Sequence, residues 1–361
     1  MFKQMGLLTG TAISAALVLA ACGGDDEGTN GEAGGEGNGD ETYEVRFLTE
    51  ELEGQLQYEY AQEFADRLEE KTDGRITTDV FEFGALGSEV NQFQEIQNGN
   101  VEFAIVSPGF TGTTVQEGQL FALQFLFSDD EDVNYQVLNE SEALNEGLSE
   151  KYEEYNVKPL AYWSEGGMQW TGNSPLREPA DFENFQMRTQ ESTLIQTSYE
   201  QYGADPTPLS WEELYTSLQL GNIDGQENPI FFIEDANFHE VQDHMTISDH
   251  NIYVAMTTVN TDFYNSLPDD LREAVDEVVD EMRPIAHEMQ LEMNEDLLTA
   301  IEEDEDNPTE IYTLSEEERD AFRELAEPMQ DFFRDDVGED GAAILDQLLE
   351  EIEEAEAESG N

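Results

Sequence analysis

An imbalance of charge constrains this chain more than any other feature. Of its 361 residues, 85 are Asp or Glu and only 14 are Lys or Arg, a formal net charge of −71. A surface of that sign repels phosphate backbones, which excludes nucleic-acid binding. At ordinary ionic strength the self-repulsion strains any compact state. Salt relieves it, since the Debye length shrinks to ~3 Å at 1 M. The chain therefore reads as a protein made for brine, and its preference for arginine over lysine, ten to four, agrees. High charge with low hydrophobicity is also the signature of disorder. Against that, 38% of residues are hydrophobic and 10% aromatic, and they recur periodically, which is enough to build a core. The length suits one large domain or two lobes.

The N-terminus reads as an address followed by a tether. Lys3 precedes an apolar stretch from Leu7 to Leu19, which ends in Leu19-Ala20-Ala21-Cys22-Gly23. A basic start, a short apolar run and small residues at the cut describe a secretory signal over 1–21. The run is short for a membrane-spanning helix, which needs ~20 apolar residues. The Leu-Ala-Ala-Cys ending resembles the bacterial lipobox, whose cysteine carries the lipid of the mature protein, so Cys22 is the expected lipidation site. It is the only cysteine, which excludes disulfides and cysteine-based zinc sites. Residues 22–42 are then the lipidated cysteine plus a flexible spacer of glycine, acids and small polar residues, too poor in apolar groups to bury anything. The resulting expectation is an extracytoplasmic protein anchored to the cell membrane.

Beyond the spacer, strands and helices alternate. Tyr43, Val45 and Phe47 alternate with polar residues as a strand does. Leu56, Tyr60, Phe64 and Leu68 recur every four residues, an amphipathic helix that stops near Asp73-Gly74. The pattern predicts strands over 76–83, 103–106, 157–163, 185–189 and 253–259, a turn at Ser107-Pro108-Gly109, and helices over 192–202 and 211–220. From Pro268 onward helix dominates, at about 269–303, 315–335 and 341–357, with an acidic face at the end. Alternation of this kind predicts an α/β fold with largely parallel sheets. No HExxH, GxSxG or phosphate loop is present, and His239, His244, His250 and His287 lack zinc-site spacing. Acid pairs for hydrolysis cannot be singled out among so many carboxylates. The expectation is a binding protein with no cofactor or metal, rather than an enzyme.

The most specific motif is Asp224-Gly225-Gln226-Glu227-Asn228-Pro229. With Lys71-Thr72-Asp73-Gly74-Arg75-Ile76, Phe83-Gly84-Ala85-Leu86-Gly87 and Gln186-Met187-Arg188-Thr189, it makes residues 43–335 resemble the solute-binding proteins of tripartite ATP-independent periplasmic (TRAP) transporters, the DctP family. The resemblance implies a two-lobed fold of the periplasmic-binding-protein kind, with the ligand cleft between lobes. Lobe 1 is expected over 43–165 with part of 255–305, and lobe 2 over 166–254 with the C-terminal helices. A long inter-lobe helix is expected at 269–303, with further helices and an acidic tail over 306–361. It also implies delivery of a small molecule to small and large TRAP membrane subunits, with uptake driven by an ion gradient. In that family the Arg-Thr arginine pairs with a substrate carboxylate and an asparagine helps, which points to Arg188 and Asn228. A planar guanidinium fork suits a carboxylate on independent physical grounds.

Thr49-Glu50-Glu51-Leu52-Glu53-Gly54, Ser107-Pro108-Gly109-Phe110-Thr111-Gly112 and Thr207-Pro208-Leu209-Ser210-Trp211 look like the ectoine-binding branch of halophiles. That branch sets a glutamate against the ligand's ring amidinium, here Glu51 with Glu50 as the competing choice, and boxes the ring with aromatics, here Phe110, Trp211 and Tyr253. Gln169 stands where many carboxylate-binding members carry a second arginine, which makes dicarboxylates less fitting, since a buried carboxylate without a partner is costly. The expected ligand is ectoine or hydroxyectoine; another monocarboxylate, such as a keto acid or sugar acid, is the alternative.

Overall fold

The computed structural model describes residues 41–360; Cys22, the signal segment and all but the last two residues of the spacer lie outside them. Eleven strands form two mixed sheets among the described residues: β1 (Tyr43–Leu48), β2 (Ile76–Phe81), β3 (Phe103–Val106), β4 (Val157–Gly167), β5 (Gln169–Gly172), β6 (Gln186–Thr189), β7 (Asp205–Pro208), β8 (Gly225–Asn228), β9 (His244–Ile247), β10 (Ile252–Asn260) and β11 (Glu310–Thr313). The first sheet has the order β2-β1-β3-β10-β4 and the second β11-β9-β5-β8-β6-β7. The architecture is a two-lobed α/β fold.

The sheets are less parallel than the alternation predicts. β1 runs parallel to β2 and β3, but β10 is antiparallel to both β3 and β4, and β5 is antiparallel to β8 and β9. The cause is connectivity. Only Met168 separates β4 in the first sheet from β5 in the second, and residues 248–251 carry the chain back from β9 to β10. A strand that crosses directly between sheets has no helical crossover to restore a parallel direction. β4 is bulged opposite Tyr253 and Val254, with Glu165 as the extra residue between Ser164 and Gly166, an irregularity that redirects side chains locally.

Helix ends follow local chemistry. Ser192 accepts a hydrogen bond from the Ile195 amide and starts the helix Thr193–Tyr202, which Gly203 ends with φ of +88°. Ser107-Pro108-Gly109 does not form a simple turn: Pro108 opens one helical turn, Pro108–Thr111, because its missing N–H costs nothing at that position. The expected helix over 315–335 breaks instead at Pro328, into Glu316–Ala326 and Pro328–Ser359, and the expected gap near 336–340 is present as a non-helical break at Gly338, with φ of 75° and ψ of −168°. The ring of Pro328 stops one helix and starts the next.

The helix Asp269–Glu303 joins the two halves. Leu271, Val275, Val278 and Met282 share a core with Phe47, Phe64 and Phe103 under the first sheet, whereas Ile301 packs with Leu214, Leu218 and Met245 in the second half. The C-terminal segment completes another core: Phe322 is fully buried and lies 4.8 Å from the ring of Trp170 and 5.2 Å from that of Tyr202. Truncating it leaves a large cavity, so Phe322→Ala is expected to cost about 3–5 kcal/mol, read as a lowered urea midpoint in molar salt. An unchanged midpoint would mean that the helix Glu316–Ala326 is not part of that core.

Candidate functional site

The loop between β1 and the helix Leu56–Lys71 carries two adjacent glutamates, and one glutamine organises them. Gln57, on the first turn of that helix, donates its backbone N–H to the Glu51 carboxylate at 2.7 Å. Its side-chain amide donates to Glu165 Oε1 at 2.7 Å and accepts from the Glu50 amide at 2.9 Å. The Glu50 carboxylate accepts from the amide and hydroxyl of Ser107, at 3.1 and 2.5 Å, and Tyr253 donates to the same hydroxyl at 3.1 Å. Glu50, Glu51 and Glu165 each keep one buried carboxylate oxygen with no hydrogen-bond partner in the protein. No lysine, arginine or histidine lies within ion-pair distance of the three among the described residues. Burial raises all three carboxyl groups above the ordinary carboxylate range, and their mutual repulsion adds to it.

The opposite charge comes from β6. Arg188 is 2% exposed, and its Nε and Nη2 donate to the Leu209 carbonyl at 3.1 and 2.9 Å. That clamp fixes one edge of the guanidinium. Every other lysine and arginine among the described residues has a carboxylate within 4.0 Å; Arg188 has none. Glu227, Tyr253 and Glu89 are its nearest electrostatic neighbours, while burial disfavours its charge. An unpaired buried guanidinium is costly, and a bound anion removes that cost.

An aromatic chain links the two ends. Trp211, at the start of the helix Trp211–Gln219, lies 5.1 Å from the Phe232 ring, and Phe232 lies 6.0 Å from that of Tyr253. Phe110 is half-buried on the short turn beyond Ser107. Asn228 ends β8, buried, and its amide donates to the side chain of Gln226. A cavity of about 40 Å³ lies where the halves meet, lined by Ser107 and Tyr253 on one side and Gln190 and Glu227 on the other. Gln169 sits directly across from Asn228 in the ladder, but its amide is turned elsewhere. It donates to Gly167 and Asp249 and accepts from the amides of Ser248 and Asp249. Its hydrogen-bonding capacity is spent on holding the crossover back to β10, which leaves nothing for a ligand.

Three contributors were missed from sequence. Gln57 and Glu165 look like ordinary polar residues among many, and Phe232, just beyond the Asp224–Pro229 motif, looks like any core aromatic. A fourth feature, the buried pair His250 and Glu227 at 2.7 Å, joins Ser248 at 2.7 Å from the same imidazole and the stacked ring of Trp170 4.5 Å away. It anchors Glu227 beside Arg188.

A buried cation with no carboxylate partner on β6 and buried carboxylates with no cation on the β1 loop and β4, with Tyr253 in the field of both and lining the cavity between the halves, suit a solute-binding receptor. The chain belongs to the bacterial extracellular solute-binding protein family 7, DctP, which matches residues 47–336. It is 34% identical to the ectoine-binding periplasmic protein TeaA of Halomonas elongata over 87% of this chain and 91% of that one. The solved structure of the periplasmic ectoine-binding protein of the Halomonas elongata TeaABC TRAP transporter superimposes with a TM-score of 0.82, covering 86% of this chain and 99% of the other. The ectoine/5-hydroxyectoine-binding protein UehA of Ruegeria pomeroyi is 31% identical over 85% and 90% of the two chains. The C4-dicarboxylate-binding protein DctP of Rhodobacter capsulatus is 29% identical over 79% and 84%. The protein is a TRAP solute-binding receptor that works with membrane subunits, and not an enzyme. Among the described residues no helix is long and apolar enough to cross a membrane.

The raised carboxyl groups make stability depend on pH in a definite direction. Glu131 joins them, pushed up to about 7 by burial and by the charges of Asp249, Asp130 and Asp132. A group whose value is raised by folding stabilises fully below its unfolded value, and that contribution is lost as pH climbs through the folded value. In molar salt, the melting temperature of the ligand-free protein should therefore fall between pH 5.5 and 8.5, with a shallower fall in Glu51→Gln. A melting temperature that rises over that range would show that these carboxyls are not raised.

Proposed function

We propose that the receptor captures ectoine or hydroxyectoine for ion-gradient-driven uptake. Arg188 takes the ligand carboxylate with help from Asn228, and Glu51 takes the ring amidinium. Trp211, Phe110 and Tyr253 enclose the ring, with Phe232 backing the wall; each aromatic face adds ~0.5–2 kcal/mol against a delocalised cation. The observation that carries this reading is a buried guanidinium with no carboxylate partner and a carboxyl cluster with no cationic partner, with Tyr253 in the field of both. It matches a zwitterion rather than an anion alone. The likeness to TeaA and UehA points the same way.

A solute of about ten heavy atoms can reach micromolar affinity or somewhat better at ~0.8–1 kcal/mol per atom. The cavity between the halves is too small for it, so the half built on the first sheet and the half built on the second must part to admit the solute and close over it. Outside the described residues, we propose that cleavage before Cys22 and its lipidation hold the receptor at the outer face of the cell membrane, with the Gly/acidic segment as a tether.

Titration calorimetry in molar salt tests the ligand. Ectoine should bind, and Arg188→Ala should weaken binding by ~2–5 kcal/mol, tens- to thousands-fold. Glu51→Gln should weaken it by a smaller factor, because hydrogen bonding survives. Binding of a keto acid or sugar acid in place of ectoine would replace this assignment with the monocarboxylate alternative.

A further inference from the structure

Glu165 does not belong to any motif discussed above, yet it faces the residue that bears the proposed cation contact. It lies near the end of β4, fully buried, and Gln57 occupies one of its oxygens while holding Glu51 through the backbone. The remaining oxygens, Glu165 Oε2 and Glu51 Oε1, are buried and have no donor in the protein. Gln57 draws the two carboxyl groups together, its backbone N–H on Glu51 and its side-chain amide on Glu165, and two carboxyl groups bond to each other only if one carries a proton. The surroundings give no substitute cation. Glu50 shares the loop, Asp235 approaches from the helix Ile230–Asp235, Glu89 adds negative charge near Glu50, and Tyr253 faces all three glutamates from β10. The glutamates are not grouped as metal ligands.

We propose that Glu165 is a second residue that reads the cationic end of the solute: in the ligand-free receptor Glu51 and Glu165 share one proton, and the arriving cation takes its place. The exchange balances simply. One O–H bond breaks, the proton passes to buffer, and two carboxylates then face one delocalised cation. The inference rests on the zwitterion reading above and sharpens it, because it separates ligand classes. A keto acid or sugar acid brings no cation, so the proton stays with the pair. A zwitterion expels it. The pair therefore works as a filter for positive charge inside a cleft whose opposite wall selects a carboxylate.

Calorimetry at pH 7 in molar salt, run in phosphate and in Tris, counts the protons released. Close to one proton per ectoine is expected, and affinity should weaken up to tenfold per pH unit on acidification. Glu165→Gln keeps the hydrogen bond from Gln57, so it should still bind ectoine while the released proton and the pH slope both fall toward zero. Infrared difference spectra should show a protonated-carboxyl band lost on adding ectoine to the wild type and absent from Glu165→Gln. Ectoine heat that is identical in the two buffers, or a band that persists in the complex, would overturn the proposal. If ectoine gives no heat at all, the ligand assignment fails. The ligand-free spectrum then decides the shared proton: a band at pH 7 that Glu165→Gln removes supports it, and its absence overturns it.

Discussion

Arg188 is held by a carbonyl and by no carboxylate, and the rest of the site is arranged around that fact. A buried guanidinium left unpaired is among the more expensive things a fold can contain. The Leu209 carbonyl offsets part of the cost by accepting two of its N–H groups. The same condition holds in mirror image across the cleft, where Glu50, Glu51 and Glu165 are buried without a cation. Their hydrogen bonds come from Gln57 and Ser107, neutral groups that orient the carboxylates without neutralising them. A structure that tolerates both imbalances gains from a ligand carrying both complementary charges.

Holding these groups in register depends on the unusual connectivity. β4 carries Glu165 in the first sheet and continues after one residue into β5, opposite the β8 strand that ends in Asn228. The chain returns through residues 248–251, where Gln169 ties the loop down, and enters β10, where Tyr253 lies opposite the β4 bulge at Glu165. The two crossovers, the helix Asp269–Glu303 and the junction at Glu327 between the last two helices are the covalent links between the halves, and two of the four lie within a few residues of the site. Motion of the halves is thereby coupled directly to the spacing between Arg188 and the glutamates.

The periodic elements were legible in the sequence because burial imposes its period locally. Leu56, Tyr60, Phe64 and Leu68 are all buried on one helix face, and the long helix falls where its pattern ends. Strand direction was not legible, since β10 looks like any apolar strand and only its route from the second sheet makes it antiparallel. Arg188, Asn228 and Glu51 were visible through motifs. Gln169 was visible as a departure from a motif, but nothing local reveals that the 248–251 loop consumes its amide. Glu165 lies beyond the expected end of its strand at Trp163, and among 85 acids no pattern distinguishes the few that are buried.

The abundance of acid on the surface and its scarcity of partners in the cleft answer to different physics. The other cations sit mostly in exposed pairs such as Arg67 with Glu63 and Glu281, or Arg323 with Asp320, each worth little and screened by salt. At 1 M salt the Debye length is ~3 Å, so exposed charges scarcely feel each other. The cleft is shielded from that screening by burial. In brine, then, the long-range field of the −71 chain collapses, while the short-range field between Arg188 and the glutamates keeps its strength. The zwitterion proposed as ligand carries no net charge and is not drawn in by the surface field in any case; its proposed selection rests on the separation of opposite charges in the buried site. The acidic surface and the cleft can therefore be tuned independently, and a relative with less surface acid could keep the same cleft.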